Sequence, residues 1–402
     1  MSPPYPIIIV TGANGGVGYG ICQRLLLNLS GNAPEDALPQ ALVTSEKGQT
    51  PCEFTPTSRL CLVLACRSLK KAAQARADLL EFFDNYIAIA IKKKPVQSEH
   101  LKVFRKNLSI DLLELDLAST RSTFDFCDKV TKTYPYISHA IFNAGCAPWA
   151  GINWLLAVKC CLINIRDAVT HPRFKLQTTG VMSDEGLGWT FQCNVFGHFI
   201  IYRELQKLLH LSPWPARVIW TASLDVEHTL VEIDWDDWQL IKATSVYETS
   251  KYQIELVSSI LDLERSAATP PPGNSPIRHL ISHPGVTCTN IFTSSLNMIT
   301  EYLMWMAFIL ARVLGSPYHP ISWINGAIAA AHLALAPLVF LAPRDKATVY
   351  GARASFFGNP YVDSSKVVNW PENQPNAQNL VDRCDDLYRK LKQERKSRPL
   401  AN

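Results

Sequence analysis

The stretch Ile7-Ile8-Ile9-Val10-Thr11-Gly12-Ala13-Asn14-Gly15-Gly16-Val17-Gly18 decides the fold. Its first four residues are β-branched and apolar without alternation, the signature of a strand buried on both faces of a parallel sheet. Gly12, Gly16 and Gly18 follow at once, and Ile21, Leu25, Leu26 and Leu29 then recur at helical spacing. The glycines therefore mark a strand-to-helix turn, the context in which such a pattern carries meaning. Glycine lets the backbone approach a pyrophosphate without a Cβ in the way, and the helix N-terminus offers unpaired N–H groups and partial positive charge. Thr11, Gly12, Asn14, Gly16, Val17 and Gly18 are read as the phosphate-binding turn of a dinucleotide site.

Outward from this turn, strand and helix alternate. Strands are expected at Leu60–Cys66, Ser109–Leu115, His139–Phe142, Arg217–Thr221 and Ile277–Ser282. Helices are expected from Leu69 to about Ile91, at Thr120–Thr133, Gly188–Leu209 and Tyr247–Arg265. This order predicts an α/β fold, a Rossmann-type doubly wound parallel sheet with helices on both faces. A chain of 402 residues suggests two or three domains at roughly 150 residues each. No repeat or sharp composition break supports that division. The expectation is one enlarged domain over residues 1–360, with insertions near 31–58, 146–188, 225–244 and 292–341 and a C-terminal extension at 361–402. The insertion at 31–58, with Pro34, Pro39, Pro51 and Pro56, reads as irregular surface chain, and the charged tail from Asp382 to Arg398 as a solvated helix.

Composition narrows the function. Lys and Arg number 39 against 35 Asp and Glu, a net charge of +4 on a chain only 18% charged, which argues against a nucleic-acid binder. With 47% hydrophobic residues the chain is not disordered. Its 11 cysteines are odd in number, none at zinc-ligand spacing, and no apolar leader follows Met1. These features point to a reducing compartment and to no metal site. A mean hydropathy of +0.02 hints at an oily ligand or a membrane surface.

Two further segments carry chemistry. Cys66-Arg67-Ser68 ends the second strand without a carboxylate, and Lys70 and Lys71 follow. An acidic residue there would accept from a ribose 2′-hydroxyl, whereas Arg67 can pair with a 2′-phosphate, so the expected cofactor is NADP(H). In Tyr247-Glu248-Thr249-Ser250-Lys251, the i,i+4 spacing places a tyrosine and a lysine on one helix face. A phenol of ordinary pKa near 10 is a poor proton donor or base at neutral pH unless a cation such as Lys251 stabilises its phenolate.

In this order, the glycine spacing and the Tyr-x-x-x-Lys pair resemble the short-chain dehydrogenases/reductases. That resemblance implies roles for several further positions. Asp116 would lie near the adenine, and Asn143, in Asn143-Ala144-Gly145, beside the cofactor. Asn194 would shape a proton relay, and Ser223 would hydrogen-bond the reacting carbonyl beside the catalytic Tyr247 and Lys251. Pro284, Gly285, Thr287 and Thr289, in His283-Pro284-Gly285-Val286-Thr287-Cys288-Thr289, would flank the nicotinamide. The gap of 24 positions between Ser223 and Tyr247, filled by a segment with Trp235 and Trp238, is wider than the family's usual one. Together with the long insertions and the Ile8–Asn14 start, it resembles the fungal 3-ketosteroid reductases of sterol biosynthesis. These imply NADPH-dependent reduction of a 4-methylated 3-keto sterol at the cytosolic face of the endoplasmic reticulum and on lipid droplets. They also imply association with the other C-4 demethylation enzymes and with oxidosqualene cyclase. A 17-ketosteroid or retinal reductase fits the same motifs, and the intact Asn194, Ser223, Tyr247 and Lys251 argue against a non-catalytic scaffold. The apolar segment 298–314, ten residues of it between Glu301 and Arg312, is too short to span a bilayer and reads as a substrate lid that also meets a membrane surface. The interrupted run 321–341 reads as a core helix.

Overall fold

Every residue of strand β1 (Ile7–Thr11) is buried, as its unbroken apolar run requires. The computed structural model describes residues 3–31, 34–38, 52–95, 98–228, 233–267, 274–288 and 298–397. The other strands are β2 (Leu60–Cys66), β3 (Leu108–Glu114), β4 (His139–Phe142), β5 (Trp149–Ile152), β6 (Lys175–Gln177), β7 (Ala216–Thr221), β8 (Ile277–His283), β9 (Thr348–Ala354) and β10 (Pro360–Lys366). Eight of them form one sheet in the order β10-β9-β8-β7-β4-β1-β2-β3, and β5 and β6 form a separate antiparallel pair. The large sheet is parallel except for β10, which runs antiparallel to β9. From β1 the chain builds outward through β2 and β3, then crosses back to place β4 on the opposite side of β1. The crevice at the carboxyl ends of β1 and β4 is thus the topological switch point, where α/β sheets bind ligands.

Helices cover both faces. One face carries α1 (Gly16–Leu29), α2 (Leu69–Lys93) and α3 (Glu99–Lys106), the other α4 (Thr120–Thr133). Helix α5 (Trp154–Thr170), kinked at Asn164, stands beyond the β5–β6 pair. The long helix expected at 188–209 is present but interrupted: α6 (Trp189–Phe191) passes through a π turn at Gln192–Phe196 into α7 (Gly197–His210). A short α8 (Leu224–His228) precedes α9 (Val246–Ala267), which packs with α4 and α7. Then come α10 (Met298–Val313), α11 (Trp323–Gly326), α12 (Ile328–Leu335) and α13 (Trp370–Ser397). Helix α12 is buried throughout and packs with α1, so the run 321–341 holds the core helix expected.

Three expectations change. The boundary at 360/361 falls inside the sheet: β10 pairs with β9 along its length, and α13 buries Trp370, Ala377, Leu380, Val381 and Cys384 in the α4–α7–α9 core. The tail is charged, yet its charges are directed at partners, with Arg203–Asp385 at 2.6 Å, Lys392–Glu204 at 2.7 Å and Arg395 on Asp125 and Asp128. The insertion near 31–58 is not simply surface chain. Phe54 is buried edge-on against His139 and Trp214, and the Asp36 carboxylate is buried on Arg24 at 2.7 Å. Proline and polarity suggested surface chain; residues 39–51 lie outside the described residues, and on either side of them one carboxylate and one aromatic are buried.

Candidate active site

The chain leaves β1 through Gly12, at φ +68°, and enters α1 at Gly16, at φ +53°, both in the left-handed region that glycine tolerates. A Cβ on Gly18 would clash with the Gly12 carbonyl, so this glycine lets α1 close onto β1. No side chain caps the N-terminus of α1, and Gly12, Asn14, Gly15, Gly16 and Val17 line a cavity of about 1020 Å³. Gly145 lies opposite, where a Cβ would crowd Asn194 Oδ1 at 3.2 Å and Lys251 Nζ at 3.4 Å. An uncapped helix N-terminus facing an open wall of glycine fits a dinucleotide pyrophosphate. Arg67 and Lys71 line the same cavity at the end of β2, and Pro284, Gly285 and Thr287 line it at the end of β8.

Other residues support this turn from below. Thr11 is fully buried, and its hydroxyl accepts from the backbone N–H groups of Asn143 and Ala144 at 3.0 and 2.9 Å. The Asn143 amide donates to the Thr11 carbonyl at 3.1 Å, tying the ends of β1 and β4 together. Asn143 also lines the cavity, whereas Thr11 and Gly18 lie beneath it. Asp116 is absent from the cavity wall; its carboxylate accepts from Ala118 N–H at 3.0 Å and holds the turn into α4. Thr289 lies outside the described residues.

Ser223, at the end of β7, and Tyr247 and Lys251, on α9, meet at the middle of the cavity despite the wide gap between them in sequence. The Lys251 ammonium donates to the Thr221 carbonyl at 2.9 Å, and burial lowers its pKa to about 8. The Tyr247 phenol behaves differently from the sequence expectation. Burial pushes its pKa well above the ordinary range, the Asp225 carboxylate adds to this, and a hydrogen bond from Ser223 opposes it. Lys251 sits 5.7 Å from the centre of the tyrosine ring, as a neighbouring cation and not a direct partner.

Asn194 lies behind the cavity wall, placed by the π turn. Its Oδ1 accepts from Cys146 N–H at 2.8 Å, and its Nδ2 donates to the Cys146 carbonyl and to Ser250 Oγ, both at 2.9 Å. It therefore fixes the 143–146 loop against α9. An asparagine buried in an apolar helix needs partners of this kind.

Sequence reasoning missed the wall facing Tyr247. Tyr247 N–H donates to Gln177 Oε1 at 2.9 Å, and the Trp149 ring packs 5.4 Å from the tyrosine ring. Lys175 lies over Trp149 at 4.8 Å and pairs with Asp225 at 3.1 Å. Beyond this polar patch the wall becomes apolar, with Ile152, Trp154, Phe174, Leu303, Met304 and Phe308. Leu303, Met304 and Phe308 belong to the segment 298–314 expected as a substrate lid, whereas no motif marked Trp149, Ile152, Trp154, Phe174, Lys175 or Gln177, because their proximity depends on α5, the β5–β6 pair and α10 folding over one opening.

No protein-family model matches the chain. The chain is 31% identical to the 3-keto-steroid reductase of Eremothecium gossypii over 318 residues, covering 78% of this chain and 82% of that protein. It belongs to the 3-keto-steroid reductase family. The Schizosaccharomyces pombe 3-keto-steroid reductase is 28% identical over 359 residues, 89% of this chain and 90% of its own. Among solved structures, the L-sorbose reductase of Gluconobacter frateurii, in complex with NADPH and L-sorbose, aligns with a TM-score of 0.50 at 13% identity. It covers 82% of this chain and 90% of that one, which supports the shared fold.

Proposed function

We propose that this chain is an NADPH-dependent oxidoreductase that reduces the 3-keto group of a 4-methylated sterol to the 3β-hydroxyl. The observation that carries the reading is the convergence of Ser223, Tyr247 and Lys251 in one cavity, between a glycine-walled dinucleotide cradle and an apolar chamber. The 3-keto-steroid reductase names of its relatives support the ketone, and the apolar chamber suits a sterol ring system. Arg67, with no carboxylate at the end of β2, supports the phosphorylated dinucleotide.

Bound NADPH supplies the hydride. The Ser223 hydroxyl donates a hydrogen bond to the carbonyl oxygen, polarising it. The Tyr247 phenol gives its proton to that oxygen as alkoxide charge develops. The phenol is protonated at neutral pH, as reduction requires, and the rise that burial imposes on its pKa opposes release of that proton. The Lys251 ammonium, still largely charged near pH 7, favours the phenolate left behind. Asn194 positions the loop that faces these groups. Location at the endoplasmic reticulum and on lipid droplets, and association with the other C-4 demethylation enzymes and oxidosqualene cyclase, belong to this reading.

The test follows NADPH oxidation with a 3-keto sterol, a 17-ketosteroid and retinal, each dispersed in cyclodextrin. Fastest turnover of the 3-keto sterol is expected. Preference for either of the others would reassign the substrate, and no oxidation with any would leave a non-catalytic scaffold.

A further inference from the structure

Helices α5 and α10 are apolar on both sides. Their inner faces serve the cavity through Ala157 and Cys161 on α5 and Met304, Ala307 and Phe308 on α10. Phe308 faces inward, against His319 at 5.6 Å. On the outer side of α5, Leu155 is 88% exposed and Leu162 83%. Tyr302, Trp305, Met306 and Leu310 are exposed on α10. The turn between β9 and β10 extends this surface: Phe357 is exposed there, and the Arg312 side chain of α10 packs beside Gly358. A soluble helix normally has one apolar stripe and one polar face, and monomers rarely expose large side chains in such number on adjoining elements.

We infer that the outer faces of α5 and α10 form the surface by which this protein lies on a lipid bilayer, with the cavity mouth between them opening to the membrane. The inference rests on the sterol reading above for its purpose, and on this surface for its substance.

Charge favours an anionic lipid surface over a second copy of the chain. Lys159 and Arg166 are exposed around the apolar patch, and Arg173 beside them pairs with Asp167 at 3.8 Å. Asp167 is thus held by Arg173 and by His171, the latter at 2.9 Å, and Glu301 is exposed. Tryptophan and tyrosine, here Trp154, Tyr302 and Trp305, suit the level of lipid headgroups, where one part of the ring is wet and the rest apolar. Among the described residues no single helix is long and apolar enough to cross a membrane. The 16 residues of α10 would reach only about 24 Å at 1.5 Å per residue, so the helix lies on the surface. A water-insoluble ketone would then pass from the bilayer into the chamber without crossing water.

The experiment is flotation of the full chain with vesicles of phosphatidylcholine alone or with about a third phosphatidylserine. It compares the wild type with Leu155→Glu/Leu162→Glu and, separately, Trp305→Glu, none of which lines the cavity. Wild type is expected to float with the anionic vesicles, and each variant to lose about tenfold or more of the bound fraction. Dinucleotide binding and turnover of a cyclodextrin-delivered ketone should persist in the variants, which excludes misfolding. Wild type that stays at the bottom, or variants that float equally well, would overturn the inference. So would a wild-type dimer in sedimentation that these substitutions dissolve while flotation is unchanged. A floating protein that reduces no cyclodextrin-delivered ketone would sink the sterol reading and leave the bilayer surface standing.

Discussion

At the dinucleotide end of the cavity the wall comes from the carboxyl ends of β1, β2, β4 and β8 and the first turn of α1. At the ketone end it comes from residues 149–175 and 303–308, none of them on the eight-stranded sheet. The first region is built from backbone: left-handed glycines, an uncapped helix and the Thr11–Asn143 tie. The second is built from side chains, most of them apolar, with one ion pair between Lys175 and Asp225. The difference teaches where each kind of recognition resides. A pyrophosphate is recognised by backbone N–H groups, which any sequence supplies if glycine permits the path. A ketone's carrier is recognised by the shape of a side-chain chamber, which insertions can reshape without touching the sheet.

The largest effect that would separate the two ends is at Tyr247. Tyr247→Phe is expected to lower turnover by about 10³-fold, since a general acid contributes roughly 10²–10⁴, while NADPH binding by fluorescence is unchanged. Retained turnover would mean that the ketone end works without this proton.

Arg67→Ala should act on the other end alone. A charge-assisted contact worth roughly 1.5–3 kcal/mol would raise the KM for NADPH by about 10- to 100-fold and leave that for NADH nearly unchanged. Equal loss with both cofactors would place Arg67 away from the 2′-phosphate.

The smallest expected effect concerns stability, where the two ends meet at Lys251. Burial lowers this amine from 10.5 to about 8 in the folded chain. Below about pH 8 it is charged in both the folded and unfolded states, and the burial cost, on the order of 3 kcal/mol, is fully present. Between about pH 8 and 10.5 the unfolded chain binds the additional proton, so wild-type stability from this group rises with pH. Lys251→Met should therefore unfold at higher urea than wild type at pH 7 when no dinucleotide is bound, with the gap closing toward pH 10. A gap independent of pH would show that the substitution acts by packing alone. The opposite window belongs to the buried imidazoles of His139 and His198, whose pKa values burial lowers from 6.5 to about 3. The unfolded chain binds their protons first, so their contribution to stability is lost as pH falls from about 6.5.

Legibility followed the range of the interactions. The strands of the sheet's centre, the glycine turn and the Tyr247–Lys251 pair could be read because each follows from neighbours a few positions away. The π turn at Gln192–Phe196 could not, since helical periodicity survives a single wide turn. Strands β9 and β10 were missed because Gly351 and Arg353 break the apolar run of Thr348–Ala354 and Val362 is the one buried residue of Pro360–Lys366, so both segments make sense only beside β8. Asp116 fitted an adenine contact by its place in the order of motifs; its carboxylate accepts from Ala118 N–H at the turn into α4, away from the cavity wall. The tyrosine's environment was also out of reach: the lysine four residues on is legible, while Asp225, 22 positions earlier, raises the phenol's pKa through space.

The sequence by itself determined the doubly wound sheet, the glycine turn and the Tyr247–Lys251 pair, because strand burial, glycine geometry and helical spacing are local constraints that each segment carries wherever it is placed. Only the tertiary structure decided what faces the reacting carbonyl and what faces outward at the mouth. Those surfaces are made where segments 149–175 and 298–313 come together, and side-chain proximity across such distances is settled by packing and not by any pattern within either segment.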